Sequence, residues 1–172
     1  VVVPDLTTAQ RRSIATEVLA AGSKALDPDN LEAVAAAAGS ANARFLRTVL
    51  DELRQHGDHF TLRALIDQLT AAASVDDLLE LVLARYEADF ERDRAGLTRD
   101  VFTALWAARK GIAESELLDL RGTGGDRIPA AVWSPLHLAA EQGIVSRGGL
   151  LGIAHSDLRR AVEDRYLPTE AD

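Results

Sequence analysis

The residues best placed to do chemistry are four histidines and one glycine-rich loop. His155 lies inside GIVSRGGLLGIAHSDLRRAVEDRY, residues 143–166. Two short apolar runs flank Gly148-Gly149, and the second run ends at His155, where a helix follows at once. Helix N-termini favour anions through their free N–H groups and dipole. A histidine at that junction can donate to a phosphate oxygen supplied by another domain. The competing reading is a histidine packed at a strand end and bonded to backbone.

His56-Gly-Asp-His59 has the H-x-x-H spacing of a metal pair. Zinc sites need three or four protein ligands, and no others lie nearby in sequence, so the pair reads as a helix end with Gly57 as terminator. His137 sits between Leu136 and Leu138 on a helix and reads the same way. The loop RGTGGDR, residues 121–127, lacks the Lys-Ser/Thr that a phosphate-binding loop places after its glycines. The pairs Glu114/Glu116 and Asp76/Asp77 stand near helix starts, where acids suit the dipole. His155-Ser156-Asp157 are sequence neighbours, which does not make a catalytic triad. The arginines Arg44, Arg47, Arg54, Arg159, Arg160 and Arg165 are interspersed with acids and read as solvated helix faces and salt bridges.

The elements that must position these residues come from periodicity. Val1–Val3 before Pro4 suits the end of a buried strand. Apolar positions then predict five helices at about 8–21, 29–38, 42–55, 61–72 and from Ser74 to Phe90. Asp27-Pro28 supplies an N-cap and a first-turn proline, Ser74 a further N-cap, and Gly22, Gly39 and Gly57 are read as terminators. Phe45, Leu46, Val49, Leu50 and Leu53 make one apolar stripe. The charged stretch Glu91–Arg94 with Gly96 reads as the seam between two units and the place for a hinge. Beyond it come a helix at about 98–108, a short extended step at Gly111-Ile112, and helices at about 114–120 and 129–142. Pro135 is expected to kink or split the last of these. A hairpin and a closing helix follow. Three helices and a two-stranded wing make the winged-helix plan, a helix-turn-helix variant. No repeat of constant period is visible.

The chain has 172 residues, 47% hydrophobic but only 5% aromatic, so its core is built of Ala, Leu and Val and suits closely packed helices. A net charge of -8 argues against generic binding to a phosphate backbone. The helix before the wing, IPAAVWSPLHLAAEQG, offers no Lys or Arg to a DNA groove. The chain has no cysteine, which excludes disulfides and thiolate chemistry. VVVPDL is too short for a signal peptide's apolar region, and no apolar run approaches bilayer length. A cytoplasmic protein without membrane contact is expected. A chain that starts at Val1 and has no methionine reads as a piece of something longer.

The order of several segments resembles a known family. SANARFLRTVLDELR, residues 40–54, is similar to the "NPLFL…EELR" helix of STAND-type NTPases. The likeness is to NACHT-like, nephrocystin-3-like members that carry tetratricopeptide or WD repeats. It continues through DLLELVLARYE and GIAESELLDL to IAHSDLRRAVEDRYL. The resemblance implies a helical domain and a winged-helix domain that close over ADP and hold the protein off until exchange for ATP. His155 matches the family's phosphate-contacting histidine. Ala43 stands where the family has a proline beside the adenine. Val1–Asp5 would end an upstream nucleotide-binding domain, and the phosphate loop and magnesium ligands would lie before Val1.

The resulting expectation is an all-α chain with a small β-hairpin: a helical domain at 1–94 and a winged-helix domain at 95–172. It has no catalytic residue and no metal ligand of its own. It would act as the regulatory switch module of a signal-transducing NTPase, with ADP/ATP in the parent, an upstream nucleotide-binding domain, a downstream repeat or sensor domain, and homo-oligomers on activation. The alternatives are a winged-helix DNA-binding regulator and a protein-interaction scaffold without nucleotide contact.

Overall fold

The structure, a computed structural model, describes residues 4–120 and 125–167. The chain divides into two compact units, Val1–Leu78 and Leu79–Asp172. The division falls inside a helix.

The first unit is built from α1 (Thr8–Ala21), α2 (Pro28–Ala36), a 3-10 helix (Ala38–Ala41), α3 (Ala43–Gln55) and α4 (Leu62–Thr70). The N-terminal turn of α1 is closed by Thr7 and Gln10, whose side chains each satisfy the other's backbone N–H. Asp27 caps α2 by accepting from the Asn30 N–H at 2.9 Å, and Pro28 fills the first helical position. Asn42 caps α3 through the N–H groups of Arg44 and Phe45. Helix α1 packs on α2 and α3, and α4 packs on α2 and α3. Their shared core is Leu19, Val34, Phe45, Leu46, Val49, Leu50, Leu53, Ile66 and Leu69, each at most 2% exposed.

Gly39 does not end α2. That helix stops at Ala36, and Arg11 takes the place of a glycine terminator by donating to the carbonyls of Ala35 and Ala37 at 3.0 and 3.3 Å. Gly39 sits in the 3-10 helix against the Phe45 ring, and a Cβ there would stand 2.6 Å from ring carbons. The residue is glycine because of this close approach.

Helix α5 (Val75–Phe90) opens at Ser74, whose Oγ accepts from the Asp77 N–H while donating to the Asp77 carboxylate. The second unit continues with α6 (Leu97–Ala107), β1 (Ile112–Ala113), α7 (Glu114–Asp119), α8 (Ala130–Ala139), β2 (Ile144–Arg147), β3 (Leu150–Ile153) and α9 (Ser156–Tyr166). Two expectations need correction here. The hairpin is part of a three-stranded antiparallel sheet in the order β1-β3-β2, with Ile112 opposite Leu151 and Ala113 opposite Leu150. The short extended step is therefore its third strand. Helix α8 also runs unbroken through Pro135.

The Glu91–Gly96 seam is tied. The Glu91 carboxylate accepts from the N–H groups of Gly96 at 2.8 Å and Thr98 at 3.0 Å, so it caps α6, whose own N-cap glycine has no side chain. Arg94 pairs with Asp100 at 2.9 Å with both side chains largely covered. Among the described residues, Pro4 and Asp5 carry no strand. Val1–Val3 of the expected strand and Arg121–Gly124 of the glycine loop lie outside the described residues.

Gly39→Ala is expected to lower the unfolding free energy by about 1–3 kcal/mol, the usual cost of forcing an atom into a filled core. Urea denaturation monitored by circular dichroism would show it.

Candidate functional site

His155 is the N-cap of α9. Its backbone is extended, and its Nδ1 accepts from the Leu158 N–H at 3.2 Å. An imidazole that accepts at Nδ1 carries its hydrogen on Nε2. The side chain is half-buried. The expected position at a strand-to-helix junction is therefore present, and the ring bonds the backbone of its own helix. Ala43 is the exposed first residue of α3.

The histidine pair of the first unit is engaged locally. Thr61 donates its hydroxyl hydrogen to Asp58 Oδ2 at 2.9 Å, so the 2.9 Å contact with His56 Nε2 is a donation by the ring. The Phe60 N–H, before the Thr61 hydroxyl, holds the Asp58 carboxyl below the usual carboxylate range. Among the described residues no group of three metal-ligating side chains gathers. His137 stacks on Trp133 at 4.5 Å, and the Trp133 indole donates to Glu114.

The loop between α3 and α4 presents Phe60 with 95% of its surface exposed. Beside it opens a cavity of about 330 Å³ lined by Leu19, Leu26, Leu53, Leu62, Lys24 and His59. Lys24 holds the loop's entry by donating to the carbonyls of Leu53 and His56. Phe60 donates its own N–H to Asp58, which fixes the turn that points it out. His59, the residue before Phe60, lines this hollow, and an exposed aromatic is an anchor type for another polypeptide.

In the second unit the feature invisible to spacing is a charged cluster joining α5 to α9. Arg165 donates Nε to Glu87 Oε1 at 2.9 Å and a terminal nitrogen to Glu87 Oε2 at 2.5 Å. Its other terminal nitrogen pairs with Glu80. Tyr166 donates to Glu87 Oε1 at 2.6 Å. The hydrogen bonds from Arg165, then that from Tyr166, hold the Glu87 carboxyl below the usual range against the opposing effect of burial. Burial, then the Glu87 contact, pushes the Tyr166 hydroxyl up, so it stays a donor. Sequence reading placed Arg165 on a solvated face. Its partners lie 78 and 85 residues away, beyond any helical spacing.

Two curated proteins resemble the chain. Over 163 residues, 95% of the chain, it is 31% identical to a TPR repeat-containing protein of Dictyostelium discoideum, of which the match covers 10%. Over 114 residues, 55% of the chain, it is 33% identical to tetratricopeptide repeat protein 41 of Mus musculus, of which the match covers 9%. The chain thus spans about a tenth of the length of these relatives. No family model matches it, and no solved structure does. The relatives overturn the resemblance to STAND-type, NACHT-like NTPases: both are named for tetratricopeptide repeats, and neither name carries an NTPase or a nucleotide. The adenine-side role of Ala43 and the matching of His155 to a family phosphate contact rested on that resemblance and go with it.

Two predictions test these assignments. His155→Ala is expected to cost about 0.5–2 kcal/mol through loss of the cap, while His155→Asn restores most of it. Thermal unfolding of the two variants checks this, and equal losses in both would refute the capping role. Glu87 contributes stability as the ionised group. Because its folded pKa is lowered, that contribution is present above the unfolded glutamate value, about 4.3, and disappears as pH falls through the folded value. The melting temperature of Glu87→Gln should therefore lie below wild type at neutral pH and converge on it in the acid range.

Proposed function

We propose that this chain is a non-catalytic, protein-binding module of a longer, cytoplasmic, repeat-containing scaffold. The observation that carries the reading is the similarity running along 95% of the chain to a protein named for TPR repeats, of which it spans only a tenth. The chain itself shows no repeat of constant period, so it reads as a separate module accompanying repeats. Exposed Phe60 and the apolar hollow beside it give the first unit an anchor for an aliphatic side chain of a partner. Among the described residues no helix is long and apolar enough to cross a membrane.

The second unit is read as a winged helix. Its element order, α6-β1-α7-α8-β2-β3-α9, and its strand order β1-β3-β2 support that plan. The helix before the hairpin, α8, carries no Lys or Arg, which weighs against the use of such units on a DNA major groove.

The test is co-purification from the native cells with the full-length parent, as wild type and as Phe60→Ser. A side chain this exposed leaves folding unaffected, so the melting temperature stays constant. A stoichiometric protein partner that is lost from Phe60→Ser is the expected result. An identical set of proteins on both baits would remove Phe60 as an anchor, and the absence of any stoichiometric partner would remove the scaffold reading.

A further inference from the structure

Four cations of this acidic chain meet at one groove of about 200 Å³ in the second unit. Arg109 and Lys110 follow the C-terminus of α6, Arg147 ends β2, and Arg159 lies on α9. Among the described residues no Asp or Glu lines the groove. None of the four forms an ion pair with a described acid, whereas Arg85, Arg94, Arg160 and Arg165 all do. Arg159 is held by the Trp106 ring, 4.8 Å from its centroid. The C-terminal dipole of α6 accounts for Arg109 and Lys110. It does not account for Arg147 and Arg159, which come from other elements.

The sheet supplies an apolar floor. Val145 faces Gly152 and Arg147 faces Leu150 across the β2–β3 pair, so these four residues share one face. Leu150 is 37% exposed, and a Cβ added at Gly152 would meet nothing within 4 Å. Leu105 closes another side. The groove therefore pairs aliphatic walls with unpaired positive charge.

We propose that this groove binds an acidic segment of a protein partner, in which carboxylate side chains alternate with aliphatic ones. The inference rests on the scaffold reading above and names a partner chemistry for it. The volume suits one or two side chains. A nucleic-acid duplex would extend past the patch and meet a chain of net charge -8. A short acidic segment stays within about one Debye length, roughly 8 Å, of the four cations and is spared that repulsion.

The experiment uses the 172-residue chain and fluorescence anisotropy. The probes are a labelled peptide of alternating Glu and Leu, its Gln-Leu counterpart, and a short random-sequence DNA duplex. The Glu peptide is expected to bind more tightly than the Gln peptide and the duplex, and to weaken as salt is raised. Lys110→Ala with Arg147→Ala, at two exposed residues without internal partners, should weaken it about fivefold or more. Gly152→Val should weaken it as well, by filling the floor with no change of charge. Equal binding of the Glu and Gln peptides would overturn the proposal. So would tighter binding of the duplex, or affinity unchanged in both variants. Failure here alongside a Phe60-dependent partner would sink the groove alone. Failure here with no stoichiometric partner of the parent would sink the scaffold reading too.

Discussion

One carboxylate fixes how the second unit is closed. Glu87 takes the Nε and one terminal nitrogen of Arg165 and the hydroxyl of Tyr166, so the last turn of α9 is pinned to the last turn of α5. A bidentate fork fixes direction as well as distance. With the end of α9 held, Leu158, Ala161 and Val162 are turned inward, and α9 packs on α6 and β3. From the same stretch of α5, Tyr86 stacks on Phe102 and donates to the Ala139 carbonyl. Taking Glu87 away would leave a half-buried arginine with only Glu80 and a buried hydroxyl with no acceptor. Losing one partner of such a set costs more than the net worth of the contact.

Helices were legible in the sequence where two signals coincided. The Val75–Phe90 pattern agrees with the Ser74 cap, and the stripe Phe45 to Leu53 was dense enough on its own, so both helices lie within a residue or two of their predicted places. Gly39 misled because glycine has two uses. It can end a helix with a left-handed residue, or let two groups approach, and only the position of the Phe45 ring decides between them. The residue that does cap the carbonyl end of α2 is Arg11, 24 and 26 residues away, which no local pattern reports. The extended step at β1 was legible but its pairing was not, because two residues cannot show a period and the partner strand lies beyond two intervening helices.

The same limit applies to sites. His155 was found because a helix start, a hairpin end and a histidine are adjacent in sequence. What the ring does there depends on which lone pair is in use. With Nδ1 accepting from Leu158, the ring serves the fold of α9. The basic groove had no sequence signature, since its cations stand at 109, 110, 147 and 159 and each alone reads as a solvated face. It becomes visible only when the β2–β3 register puts Arg147 and Leu150 on one face and α9 brings Arg159 alongside.

Charge in this chain is therefore organised on two scales. The net value of -8 sets the long-range field, which keeps polyanions away and favours solubility. At the groove beside the hairpin four cations line one surface, and several acids of the second unit are engaged elsewhere. Glu80 and Glu87 are committed to Arg165, Glu91 to the N-terminus of α6, Asp100 to Arg94 and Glu114 to Trp133. Each of these contacts serves the fold of the unit, and together they hold those acids away from the one groove where four cations meet. A cluster of cations without acid partners among the described residues of an acidic protein thus goes with how its carboxylates are used in folding, and composition alone does not show it.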